Sequence, residues 1–170
     1  MWSSTISKDV LLQVQKSVLI VNISMDDRLP EHWSTYHGTK LGSIGLAPSV
    51  DMVLTTSPET CKWYGVEGCL SLYFPLASDS NIFSSNANKD RDIDILFIGN
   101  RYGVRSEIIL YLEKRNIKVN CYGSGWDNGS VNTEEMARLS NQAKIILGIG
   151  AIGHCHDVYT LKLRDFDALM

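Results

Sequence analysis

The sequence has no run of Lys and Arg and no excess of positive charge. Its 16 cationic side chains are interspersed with 19 acidic ones, for a formal net charge of −3. Nucleic-acid binding needs a basic face to neutralise phosphates, so nucleic acid is disfavoured as a partner. Cysteine is scarce as well. The four copies (Cys61, Cys69, Cys121, Cys155) show neither CxxC spacing nor a dense framework, which argues for a reducing, cytoplasmic setting. No basic start followed by a long apolar segment marks a signal peptide. No apolar run approaches the ~20 residues that a spanning helix needs. The expectation is a soluble cytoplasmic protein. The full GxGxxG fingerprint is also missing, which disfavours a nicotinamide or flavin dinucleotide, and no resident cofactor is expected.

What is present is a 170-residue chain with 44% hydrophobic residues, enough for a packed core. From Asp92 onwards, short apolar runs alternate with amphipathic ones, and glycines sit where each apolar run stops. The pattern predicts strands over 92–98, 118–122 and 145–147. Helices are predicted over 105–115 and 133–142, the latter capped by Asn132 or Thr133, with a last helix beginning near 161. Strand–helix alternation implies a parallel sheet with helices on its faces.

The first half reads similarly. A helix is expected over 4–15 and a strand over 17–24, whose continuous apolar character suggests burial on both faces. A long loop with one or two short helices follows over 29–49, and a second strand over 50–56. Ser57, Pro58 and Glu59 open a helix as N-cap, first position and first-turn acid. A third strand covers 69–74. Residues 76–91, rich in Ser, Asn and Asp, form the best linker. The fold class is therefore α/β with parallel sheets in two parts, 1–75 and 92–170. Both ends of the chain look abrupt, as in a piece of a longer protein.

Candidate chemistry gathers at the ends of the later strands. Gly99, Asn100, Tyr102 and Gly103 link a strand to a helix, where glycine admits close backbone approach and free N–H groups attract an anion. Arg105 adds charge in the first turn. A turn that needs glycine for geometry alone is the competing reading. Gly123, within the run Tyr122–Trp126, follows the next strand; Trp126 either stacks on a base or packs the loop. Gly153, His154, Cys155 and His156 follow the third strand. Their ligands are too few and too close for zinc, so no metal is expected. Lys162 and Arg164, with Asp165 and Asp167 beside them, open the last helix and suit a diphosphate. A solvated charged helix face is the alternative. Asp26 and Asp27 close the first strand. Adjacent strand residues point to opposite faces, and Asp26 is the weak candidate for a base, with a turn-capping role in competition.

The runs FIGNRYGVRSEIILYL, VNCYGSGWDNG and LKLRDFD resemble the CgeB-like (spore-maturation-type) glycosyltransferases, and the first half is similar to the segment those proteins place just before. The resemblance implies a GT-B architecture of two Rossmann-like lobes facing across a cleft. Residues 1–75 would then close the acceptor lobe, 76–91 would link, and 92–170 would open the lobe that holds the donor. It implies a nucleotide-diphosphate sugar as substrate, an unidentified acceptor, and a transfer with no obligatory metal. Lys162 and Arg164 match cationic positions that would face the donor diphosphate. Asp167 falls where the family carries an acid, usually Glu, that contacts ribose; aspartate is one methylene shorter. Two other readings stand beside this one. The first is a non-catalytic nucleotide- or phosphate-binding α/β module. The second, a receiver-type signalling domain, is disfavoured because no acid follows at the next strand.

Overall fold

A computed structural model describes residues 6–29, 35–40, 42–84, 90–152 and 154–168. The chain divides into two compact units, Met1–Pro75 and Leu76–Met170. Each is an α/β unit built on a three-stranded, wholly parallel sheet.

In the first unit, α1 (Lys8–Val14) is capped by Ser7, whose hydroxyl accepts from the Val10 amide. The sheet has the order β1 (Val21–Ser24), β4 (Met52–Thr55), β5 (Leu70–Tyr73). Between β1 and β4 lie a hairpin of β2 (Thr35–Tyr36) and β3 (Thr39–Lys40), then α2 (Gly42–Leu46) and a 3-10 turn over Ala47–Ser49. The hairpin stands where a loop with short helices is expected from sequence. His37 and Gly38 both have positive φ, 47° and 77°, the backbone that a two-residue hairpin turn requires. Helix α3 (Pro58–Val66) joins β4 to β5, with Ser57 at its N-cap but without a side-chain capping bond.

Both crossovers in this sheet run the same way, from β1 to β4 to β5. Right-handed connections therefore fall on one face. That face is covered: Val53 and Thr55 are buried, and Val53 packs with Tyr64, Val50 and Cys69. The opposite face carries Val21, Ile23, Met52, Leu54, Leu70 and Leu72, placed side by side by the strand register. Val21, Ile23, Leu70 and Leu72 are exposed. The expectation that the first strand is buried on both faces is thus corrected. The strand is shorter than the apolar run, lies at the sheet edge, and has cover on one side alone.

In the second unit the order is β7 (Asn120–Tyr122), β6 (Ile93–Ile98), β8 (Ala143–Ile146). Here the chain steps from β6 to β7 and then back across to β8. Right-handed crossovers in opposite directions place α4 (Val104–Glu113) and α5 (Thr133–Gln142) on opposite faces. Neighbouring side chains of β6 record this. Phe97 packs with Val104 and Ile109 of α4, whereas Leu96 packs with Leu139 of α5. Asn132 caps α5 by accepting from the Glu135 amide at 2.8 Å. The polar run after Pro75 belongs to this unit, where Phe83 is buried and Asn141 Nδ2 donates to the Ser84 carbonyl. A short helix, α6 (Leu163–Asp167), closes the unit. Among the described residues no helix is long and apolar enough to cross a membrane.

Candidate functional site

The chain steps from β6 to β7 and back across to β8, which makes a topological switch point at the carboxyl ends of β6 and β8; the segment after β8 packs with Phe97 on the α4 side. Ligands of open α/β sheets bind at such points. In this unit the chain fills the position with glycines and arginines.

Gly99 follows β6 directly. Its amide donates to Tyr122 O at 2.8 Å, and its carbonyl accepts from Trp126 Nε1 at 2.8 Å. A Cβ at Gly99 would lie 2.6 Å from Arg164 Nη2 and 3.2 Å from the Phe97 ring. Glycine is therefore what lets the Arg164 guanidinium lie against the backbone at the end of β6. Gly123 does the same for the neighbouring loop, since a Cβ there would meet the Gly99 carbonyl oxygen at 2.5 Å. The two loops are stitched together. Arg101 donates its amide to Ser124 O at 2.8 Å, and the Ser124 amide donates to Asn100 Oδ1 at 3.2 Å.

Arg105, in the first turn of α4, is 5% exposed. Its Nη1 donates to the Asn100 carbonyl at 3.0 Å, while its Nε is buried and makes no hydrogen bond among the described residues. The guanidinium carbon lies 4.2 Å from the centre of the Tyr102 ring and 6.0 Å from that of Phe97. Arg164 enters from α6 and lies 5.4 Å from the same Phe97 ring. Burial lowers the pKa of Arg164, and the positive charge of Arg105 lowers it further. Neither arginine is within ion-pair distance of a carboxylate among the described residues. The Asp165 and Asp167 carboxylates act the other way on Arg164 and offset part of this, but a buried charge without a close partner still costs free energy, and a second like charge beside it adds to that. The arrangement is the one an anion would relieve.

α6 is held in register by its own acid. Asp165 Oδ2 accepts from the Lys162 amide at 2.7 Å, and Asp165 Oδ1 fills the space beside Gly148, where a Cβ would come within 2.6 Å. Arg164 Nη1 donates to the Ile149 carbonyl at 3.5 Å. Asp167 is buried, and its Oδ2 makes no hydrogen bond among the described residues. It is thus an acceptor held ready at the end of the same turn.

Of the residues singled out from sequence, Gly99, Asn100, Tyr102, Arg105, Gly123 and Arg164 come together at this one place. His154 is exposed and adjoins through Tyr102, with ring centres 5.8 Å apart. Lys162 stands at the N-cap of α6. Gly153 lies outside the described residues. Trp126 packs the loop: its ring meets Phe97 edge-on, with centres 6.1 Å apart, and Arg101 lies over it at 5.0 Å. Asp26 belongs to the first unit, in the turn after β1 with a φ of 61°. Its neighbour Asp27 is the buried one, accepting from Tyr64 Oη at 3.1 Å and Thr60 Oγ1 at 3.3 Å.

Sequence reasoning missed one residue of the site, Phe97, and named Asp165 without its capping role. Phe97 reads as one more apolar strand residue, and its ring as a platform for two guanidiniums emerges only when α6 folds back. Asp165 carries a weak signal in its position three residues after the N-cap, the spacing of a capping box. Among the described residues no three His, Cys, Asp or Glu side chains come together to hold a metal ion. Searches against family models, curated proteins and solved structures return no significant match to this chain.

Proposed function

We propose that the second unit binds the diphosphate of a nucleotide-sugar and that the protein is a glycosyltransferase, or part of one, of the CgeB-like, GT-B type. One observation carries the reading: Arg105 and Arg164 are drawn over the same Phe97 ring with no carboxylate within ion-pair distance among the described residues, the Asp165 and Asp167 carboxylates offsetting the charge of Arg164 only from farther off. A diphosphate spreads its charge over two phosphoryl groups and can accept from both guanidiniums at once, each charge-assisted bond being worth about 1.5–3 kcal/mol. Asp167, at the end of the same helix, would take the ribose hydroxyls.

In such a transfer the sugar–phosphate bond breaks and negative charge develops on the departing diphosphate. Fixed cations already aimed at that charge lower the barrier without reorganising. Arg105 and Arg164 supply that stabilisation. Gly99, without a side chain, leaves room for Arg164 against the backbone, and Gly123 lets its loop close on Gly99.

Thermal-shift titration with uridine, guanosine, adenosine and cytidine diphosphates tests the binding. Specific binding raises the midpoint by an amount that grows with the ratio of concentration to dissociation constant. A shift with one diphosphate that is much smaller with its monophosphate supports the assignment. No shift with any of them, from folded protein, overturns it. Binding without hydrolysis or transfer of the matching nucleotide-sugar would favour the non-catalytic nucleotide-binding module.

A further inference from the structure

The first sheet is amphipathic in the unusual direction. Its covered face carries Asn22, Ser24, Thr55 and Ser71 beside Val53, while its uncovered face is entirely apolar. Ile23 is 59% exposed, Leu70 63% and Leu72 53%, and Leu19, just ahead of β1, is 74% exposed. Hydrophobic burial drives folding, so a sheet left alone would turn its more apolar side inward. Parallel sheets are ordinarily covered on both faces. This face is therefore shaped for cover that the described residues of its own unit do not provide.

From this we infer that the open face of β1, β4 and β5 is an interface between two copies of the chain. Three features favour a second copy. With its flanking residues Leu19 and Phe74, the exposed apolar surface comes to roughly 700 Å² per copy, close to the ~800 Å² per partner of a standard stable interface and above the largest patch on a typical monomer. No charged residue stands in its rows, so a twofold contact brings no like charges together, which any charged patch would do to its own image. The rows are regular, two residues deep on each of three strands, so two such faces can interdigitate at the ~10 Å spacing of packed sheets.

Light scattering coupled to size-exclusion chromatography, run on the whole chain over a wide range of concentration, tests the inference. The expected mass is twice the 19.0 kDa of the chain, falling toward the monomer on dilution. Ile23→Glu combined with Leu72→Glu introduces charge on exposed positions and should weaken association at least tenfold while leaving the far-ultraviolet circular dichroism unchanged. The milder Leu72→Ser serves where the double variant does not fold. Leu110→Glu, exposed on α4 of the other unit, should leave the dimer intact. A wild-type monomer at every concentration overturns the proposal. So does a folded Leu72→Ser or double variant that dimerises as the wild type does, or a mass that climbs past the dimer without a plateau. A monomer that captures an added amphipathic helix would assign the face to a helical partner instead.

Discussion

Arg105 and Arg164, 59 positions apart in the chain, share one aromatic ring: their guanidinium carbons lie 6.0 and 5.4 Å from the centre of Phe97. Cation–π attraction to one ring face offsets part of their mutual repulsion, at about 1–2 kcal/mol for a desolvated contact. It does not neutralise them. Replacing Arg164 by Ala should lower nucleoside-diphosphate affinity about 10- to 100-fold, the loss of one or two charge-assisted bonds. The ligand-free melting temperature should stay level or rise, because a desolvated like charge is gone. Calorimetric titration beside a melting curve reads both, and unchanged affinity would refute the diphosphate assignment.

Two glycines of the site should respond differently to the same added methyl group. At Gly99 the clash is with the end of the Arg164 side chain, which can swing away. Gly99→Ala should cost binding and some stability, since its φ of 158° strains any side chain and the buried Phe97 ring lies 3.2 Å from the added Cβ, but less than a clash with backbone. At Gly123 the clash is with backbone, the carbonyl of Gly99, and its φ is 128°. Gly123→Ala should destabilise the fold by about 2–3 kcal/mol, the range for overpacking combined with backbone strain. Chemical denaturation of both variants separates the two effects.

Stability should fall in alkali through Tyr64. Burial, chiefly, raises the Tyr64 pKa from 10.0 to about 12, and the nearby Asp27 carboxylate raises it further, against hydrogen bonds that lower it. Below pH 10 the hydroxyl is neutral in both folded and unfolded chains and the pH has no leverage. Between pH 10 and about 12 only the unfolded chain gives up the proton, so unfolding gains on the order of 2 kcal/mol. Tyr64→Phe should flatten that part of the stability–pH profile, at a cost near neutrality of about 1–3 kcal/mol for the bond taken from Asp27. An unaltered alkaline slope in the variant would show that the titrating group lies elsewhere.

Asn132→Ala removes the side-chain oxygen that accepts from Glu135 N and should cost about 1 kcal/mol. The melting temperature should drop by about 4 °C on the scale of a unit this size. Asn132→Asp should recover most of it, since a carboxylate also accepts that bond and favours the helix N-terminus.

α5 was legible because its signals are local: Asn132, two first-turn acids and helical spacing lie within one stretch, and the expected 133–142 matches the observed helix. The alternation that predicts parallel sheets was equally readable. The β2–β3 hairpin was not, since its strands are two residues each and its His37-Gly38 turn is an uncommon pair. Nor was the cover of β1. The string Val21–Ser24 already alternates apolar with more polar residues, but which side is covered depends on the direction of the next two crossovers. The arginines and glycines of the site announced themselves by residue type at strand ends. Their convergence on Phe97 depends on strand order, with β8 beside β6, which no short window of sequence contains.

The distribution of the site along the chain also sets when it can exist. Phe97, Gly99 and Arg105 are synthesised early in the second unit, and Arg164 is synthesised some sixty residues later. A nascent chain therefore carries the ring and the first guanidinium before it has the second. When α6 folds back, the second charge arrives at a place already made to hold it. On the proposed reading the diphosphate site is complete only after that one late step, so a bound nucleotide would favour the finished unit over its partly made forms.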